Sequence, residues 1–172
     1  MSHLTRRSCR PLFRRFVLCL IAQNKSTPKC QHSLALCLRM KIQLKEYTRS
    51  KNDELAQRAI ESSKSENTNH YLIVYDKTEV GFASIDILNS VEILVLYELY
   101  IIKTRRNQGL GASALNYIEE LVHSLNLKSI VLTPEPIDSS ITKERLINWY
   151  RSKGYTIRPE HKTEMVKIIA TN

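Results

Sequence analysis

The stretch from Leu99 to Ala112 concentrates the residue types that can hold an anion. An apolar run ends in Lys103-Thr104-Arg105-Arg106, and Gly109 and Gly111 then open a helical pattern. A strand feeding a glycine turn at a helix N-terminus aims several unpaired backbone N–H groups at one spot, which suits a phosphate. Glycine at that turn removes the Cβ that would hold a ligand away from the backbone. Each N–H bond to a charged acceptor contributes about 1.5–3 kcal/mol, so roughly three or four of them anchor a pyrophosphate. The bland reading of Gly-x-Gly is a strand-to-helix turn with glycine for packing alone. A third glycine is absent, which excludes the dinucleotide fingerprint, and no Gly-Lys-Ser/Thr follows, which excludes a P-loop.

The elements that must position this turn can be read from periodicity. Lys41 to Thr48 alternates apolar and polar residues, as an opening strand does. Ser50 is the expected N-cap of a helix with Asp53 at its third position and Leu55, Ala56, Ala59 and Ile60 on one face. Tyr71 to Tyr75 and Glu79 to Leu88, split by Asp76-Lys77-Thr78, read as a hairpin. Val91 to Lys103 carries more apolar residues than one face needs and is expected to be a central strand covered on both sides. Leu115, Ile118, Val122 and Leu125 mark an amphipathic helix over 110–125. Ser129 to Thr133 is a short buried strand, and a loop from Pro134 to Ser140 follows it. A last helix over 142–153 stops at Gly154, before closing strands at Tyr155–Arg158 and Glu164–Ala170.

Charge divides the chain in two. Of its 172 residues, 25% are charged and 42% hydrophobic, and the formal net charge is +9. Residues 1–39 hold eight basic side chains and no acidic one, leaving 18 basic against 17 acidic, a net of +1, for residues 40–172. A basic nucleic-acid binder is therefore not expected. Cys9, Cys19, Cys30 and Cys37 all fall in the first segment without a C-x-x-C pair, so no zinc site is expected. Its only apolar run, Phe16 to Ala22, is too short to span a bilayer. We expect residues 1–39 to be an extension outside the fold, with Met40 as the true start. An organellar transit peptide and a flexible basic arm are the alternatives. Residues 40–172 form one α/β domain.

Arg106-x-x-Gly109-x-Gly111 resembles the (Gln/Arg)-x-x-Gly-x-(Gly/Ala) signature of the GNAT superfamily of acyl-CoA-dependent N-acetyltransferases. Trp149-Tyr150-x-x-x-Gly154-Tyr155 resembles that family's aromatic-Tyr-x-x-x-Gly-aromatic segment. Val80-Gly81-Phe82-Ala83 is similar to a strand where its members carry glycine. The resemblance covers about Met40 to Ala170. It implies a mixed, mostly antiparallel central sheet with helices on both faces, acetyl-CoA as co-substrate, no metal, and direct attack by an amine on the thioester.

The resemblance also assigns roles. The strand before the signature is splayed from its neighbour in this family, so backbone groups of Leu99, Tyr100 and Ile101 would meet the pantetheine arm. The pyrophosphate would sit on the amides of Gln108, Gly109, Leu110, Gly111 and Ala112, with Arg106 beside them. Tyr150 takes the position of the tyrosine that protonates the departing thiolate, and a phenol with pKa near 10 is a competent donor to a thiolate. On spacing alone, Leu146, Trp149 and Tyr150 describe a core aromatic cluster. Glu98 is the base or amine-binding candidate, with Glu92 second. An alkylamine is mostly protonated at neutral pH, and a nearby carboxylate would help present it neutral. The residues before Tyr150 lack the family's Asn-x-x-Ala, and the 134–140 loop is broken by prolines, so the acceptor side departs most from the pattern. The expected partners are acetyl-CoA and an amine acceptor in the cytoplasm, with a homodimer compatible and no membrane. The competing readings are a non-catalytic acyl-CoA-binding module and a toxin that acetylates charged tRNA.

Overall fold

The computed structural model describes residues 42–62 and 68–169. The expectations for the extension 1–39 and for a start at Met40 lie outside these residues. The elements in chain order are β1 (Ile42–Glu46), α1 (Asp53–Glu61), β2 (Asn69–Tyr75), β3 (Thr78–Leu88) and β4 (Ile93–Ile101). After a 3-10 turn (Lys103–Arg105) come α2 (Leu110–Ser124), β5 (Ser129–Leu132), α3 (Lys143–Ser152), β6 (Thr156–Arg158) and β7 (His161–Ile168).

The strands form one seven-stranded sheet in the order β1-β2-β3-β4-β5-β7-β6. Every neighbouring pair is antiparallel except β4 with β5, which are parallel and joined through α2. That crossover is what a parallel pair requires. Side chains alternate across the sheet, so its two faces bury different helices. Leu72, Phe82, Tyr100 and Ile102 pack with Leu55 and Ala59 of α1. On the opposite face α2 buries Leu110, Ala114, Leu115, Ile118, Leu121 and Val122. The result is the mixed, mostly antiparallel sheet with helices on both faces.

Local chemistry explains most boundaries. Asp76 and Lys77 both take positive φ, +46° and +65°, giving the two-residue hairpin whose twist matches the flanking strands. Gly154, at φ +87°, ends α3 as expected. The N-cap of α1, however, is Asn52 rather than Ser50: its side chain accepts from the Leu55 N–H at 3.2 Å. Ser50 instead donates to Glu79 Oε2 at 2.5 Å and accepts from the Asn52 N–H at 3.0 Å, tying the helix entry to β3.

β4 also departs from its sequence pattern. Ser84 pairs with Glu98 and Ile85 with Leu96, so Tyr97 is an extra residue, a bulge. The bulge leaves Tyr97 54% exposed, and β4 is not covered on both sides along its whole length.

Candidate active site

β4 has two neighbours over only part of its length. Ile93 to Leu96 pair with Ser129 to Leu132 of β5, and there the parallel ladder stops. Beyond the bulge β4 keeps only β3. The Ile102 N–H donates to Val80 O at 3.0 Å, so the hydrogen-bonded pairs alternate as Val80/Ile102, Phe82/Tyr100 and Ser84/Glu98. Leu99 and Ile101 therefore turn their backbone groups away from β3, toward the gap left by β5. Tyr100 does not. Its carbonyl faces β3 so closely that a Cβ on Gly81 would come within 2.2 Å of it. The expected trio of Leu99, Tyr100 and Ile101 thus narrows to Leu99 and Ile101.

The gap opens toward the turn that starts α2. Gly109 is the N-cap at φ +77°, with no side-chain cap and no acidic residue in the first helical turn. The first intrahelical bond runs from the Ser113 N–H to Gly109 O at 3.0 Å. The N–H groups of Leu110, Gly111 and Ala112 consequently have no intrahelical partner, and they stand at the positive end of a 15-residue helix dipole. A Cβ placed on Gly111 would meet only Ile101 Cγ1, at 3.8 Å, so protein packing does not demand glycine there. These features fit a pyrophosphate on Gln108, Gly109, Leu110, Gly111 and Ala112.

Arg106 precedes that turn and makes several contacts of its own. Its guanidinium bonds Asp138 through two nitrogens, at 2.7 and 3.2 Å, and donates to Ser140 Oγ at 2.6 Å and Ile101 O at 3.0 Å. It also lies over the Tyr100 ring, 5.2 Å from the centroid. Arg106, expected beside the phosphate amides, here also bridges the exits of β4 and β5. The guanidinium and the Ser140 hydroxyl hold the Asp138 carboxyl well below the usual carboxylate range. Asp138 and Ser140 escaped sequence reading because a polar loop carries no periodicity. Glu54 of α1 escaped it too: it accepts from the Tyr100 hydroxyl and, at 3.2 Å, from the Lys103 N–H. Burial, then the Glu54 contact, pushes the Tyr100 phenol up to about 12.

Glu98 lies on the α1 face of β4, one residue past the bulge. Its Oε1 accepts from Arg58 of α1 at 2.9 Å, while its buried Oε2 has no partner among the described residues. Glu92, the second candidate, precedes β4 at φ +57° and pairs with Lys128. It sits at the strand end away from the gap, where it closes the turn before β4.

Tyr150 is the only buried residue of α3 among those described, at 7% exposure. Trp149 and Tyr155 contact its ring edge-on, with centroids 4.8 and 5.5 Å away. Burial alone raises its phenol well above the ordinary value, so the group stays protonated at neutral pH. Leu146 and Trp149 are only half-buried, so the cluster that spacing suggests is not a uniform core.

Residues 37–155 match the Acetyltransferase (GNAT) family. No curated protein matches the chain. Among solved structures, a GNAT-family acetyltransferase from Staphylococcus aureus is 15% identical, with a TM-score of 0.54 over 75% of this chain and 99% of that one. The ribosomal-protein-S18-alanine N-acetyltransferase from Escherichia coli is 13% identical, with a TM-score of 0.53 over 76% of this chain and 96% of its own. An aminoglycoside 6'-N-acetyltransferase complexed with coenzyme A is 19% identical, with a TM-score of 0.53 over 75% and 98%. At these identities the likeness carries the fold alone, whereas the family match spans most of the chain. The half-paired strand, the uncapped glycine turn and the buried tyrosine thus sit within a chain that belongs to the GNAT acetyltransferase family.

Proposed function

We propose that the protein transfers an acetyl group from acetyl-CoA to a primary amine by direct attack. The observation that carries this reading is the unpaired edge of β4 running into the uncapped N-terminus of α2. A backbone edge that β5 leaves unpaired at Leu99 and at the Ile101 N–H, the Ile101 carbonyl being held by Arg106, suits the amide-bearing pantetheine arm, and an uncapped helix start suits the pyrophosphate. Leu99 and Ile101 would bind the arm, and the amides of 108–112 the phosphates. The thioester supplies an activated acyl carbon.

The remaining work falls to side chains. Glu98 Oε2, held in place through its other oxygen by Arg58, accepts a proton from the acceptor ammonium. The neutral amine nitrogen then forms a bond to the acyl carbon as the carbon–sulfur bond breaks. The sulfur takes its proton from the Tyr150 hydroxyl, and the phenolate regains one through solvent as the new amide nitrogen sheds its remaining extra proton. Burial keeps Tyr150 protonated and able to donate, and a thiolate desolvated against it would be a stronger base than one in water.

The deciding experiment measures coenzyme A release and acetyl-amine formation over a panel of polyamines, aminoglycosides, amino acids, peptide N-termini and charged tRNA. We expect turnover with at least one small amine. Tight acetyl-CoA binding without turnover on any class would replace the enzyme by a binding module.

A further inference from the structure

The turn at 108–112 can fix the phosphate end of a donor, but the arm that follows is saturated and rotates about many bonds. Its amides can therefore meet an open strand edge in more than one register. Backbone groups that face the same way recur every second residue, roughly 7 Å apart. An arm that slips by one such step carries its acyl carbon out of reach, since reacting atoms must lie about 3–3.5 Å apart.

The edge of β4 narrows that choice. Leu99 and Ile101 both face the gap, yet their carbonyls differ. Arg106 Nε donates to Ile101 O at 3.0 Å, whereas Leu99 O has no partner among the described residues. Pro134 and Pro136 follow β5 and have no N–H, which removes two donors that a longer β5 would have brought to this edge. An N–H of the arm thus has one acceptor to find, not two.

Arg106 does not close the Ile101 carbonyl unaided. A guanidinium is a planar fork, so holding its two outer nitrogens aims the third. Asp138 takes both outer nitrogens, at 3.2 and 2.7 Å, and Ser140 Oγ accepts a further bond at 2.6 Å. Asp138 is tied in turn. The Ser140 N–H donates to its Oδ1 at 2.9 Å, and the adjacent Ile137 packs on the core shared by α1 and the sheet. This hold matters most with a donor bound. A pyrophosphate on the amides of 108–112 is a second anion close to Arg106 in the chain. Without Asp138 the guanidinium would turn to that anion and open the Ile101 carbonyl.

We propose that Asp138 is a positioning residue for acetyl transfer. Through Arg106 it keeps the Ile101 carbonyl closed, so the arm pairs at the Leu99 carbonyl alone and the acyl carbon comes to one place. The proposal rests on the transferase reading and adds to it a residue that acts through another side chain.

Asp138→Asn in the full chain tests it, with acetyl-CoA labelled for NMR at the thioester carbonyl carbon. The bound wild type should give one carbonyl resonance, and the variant a second or a broadened one. Acetyl-CoA affinity should stay within about twofold or tighten, because the phosphate amides are untouched. On any amine that the wild type acetylates, kcat should fall about tenfold or more, since a misplacement of about 1 Å can cost a hundredfold. Should the variant fail to fold, Ser140→Ala carries the same measurements, with kcat lower by about threefold, the effect of one ordinary hydrogen bond. A bridge that served stability alone would lower the melting temperature but leave one resonance and an unchanged kcat, and that result overturns the proposal. So does a loss of affinity in proportion to the loss of rate, which would make Asp138 part of donor binding. The resonance needs no turnover. A wild type that acetylates no amine would therefore overturn the transferase reading alone, and the labelled donor would still decide the role of Asp138.

Discussion

The two halves of β4 have similar apolar content and opposite fates. Ile93 to Leu96 lie between β3 and β5, with Leu94 and Leu96 fully buried. Tyr97 to Ile101 keep β3 but lose β5, and the second half carries Glu98, the bulge and the backbone groups that face the gap. A sheet interior normally pairs every N–H and C=O. An interior strand that is half unpaired must have its free groups satisfied by something else, and a ligand with amide groups of its own is well matched. The first half of β4 builds the domain; the second is available for binding.

The largest expected effect comes from the acid that would serve this gap. Tyr150→Phe keeps the ring and its contacts with Trp149 and Tyr155. General acid catalysis is typically worth about 10²–10⁴-fold, so kcat should fall by that range while acetyl-CoA affinity stays constant. A full chemical rate in single turnover would remove Tyr150 from the mechanism.

The next two predictions separate packing from binding by means of two glycines. At Gly81 an added Cβ would strike the Tyr100 carbonyl. Gly81→Ala should therefore lower stability by about 1–3 kcal/mol, the usual cost of overpacking, visible as a lower melting temperature. Gly111→Ala has open space and a helical position, so the melt should hold or rise, by up to about 1 kcal/mol. Gly111→Val should still weaken acetyl-CoA binding about tenfold, close to the loss of one charge-assisted N–H bond. Unchanged affinity would return the glycine turn to its bland reading. Gly109 is a poorer probe, because its φ of +77° strains any replacement regardless of ligand.

The smallest effect concerns the bridge across the open end of the gap. Asp138 has its folded pKa lowered by Arg106, so its stabilisation is present above the unfolded value near 3.9 and is lost as pH falls below it. Wild type and Asp138→Asn should differ in melting temperature by a constant amount between about pH 5 and pH 8, with the difference shrinking below about pH 4. A difference that grew toward low pH would mean the carboxylate is not held by Arg106.

Sequence alone determined the elements whose cause is local. Asp76-Lys77 for the hairpin, the apolar spacing of 110–125 and Gly154 after the last helix were legible because turn chemistry and helical period act within a few residues. The signature glycines and Tyr150 were legible as residue types suited to phosphate and proton chemistry. The sequence also had a surplus of apolar residues in 91–103, but not the point where β5 would stop. That depends on a bulge at Tyr97 and on the register of strands 35 or more residues apart. The contacts of Arg106 and Glu98 were decided the same way. Arg106 meets Asp138, Glu98 meets Arg58, and Ser84 and Asp86 share a face with Glu98 only after β3 and β4 are paired. Charge–charge contacts have no periodicity, so tertiary structure alone decides which charges meet and which stay unfilled.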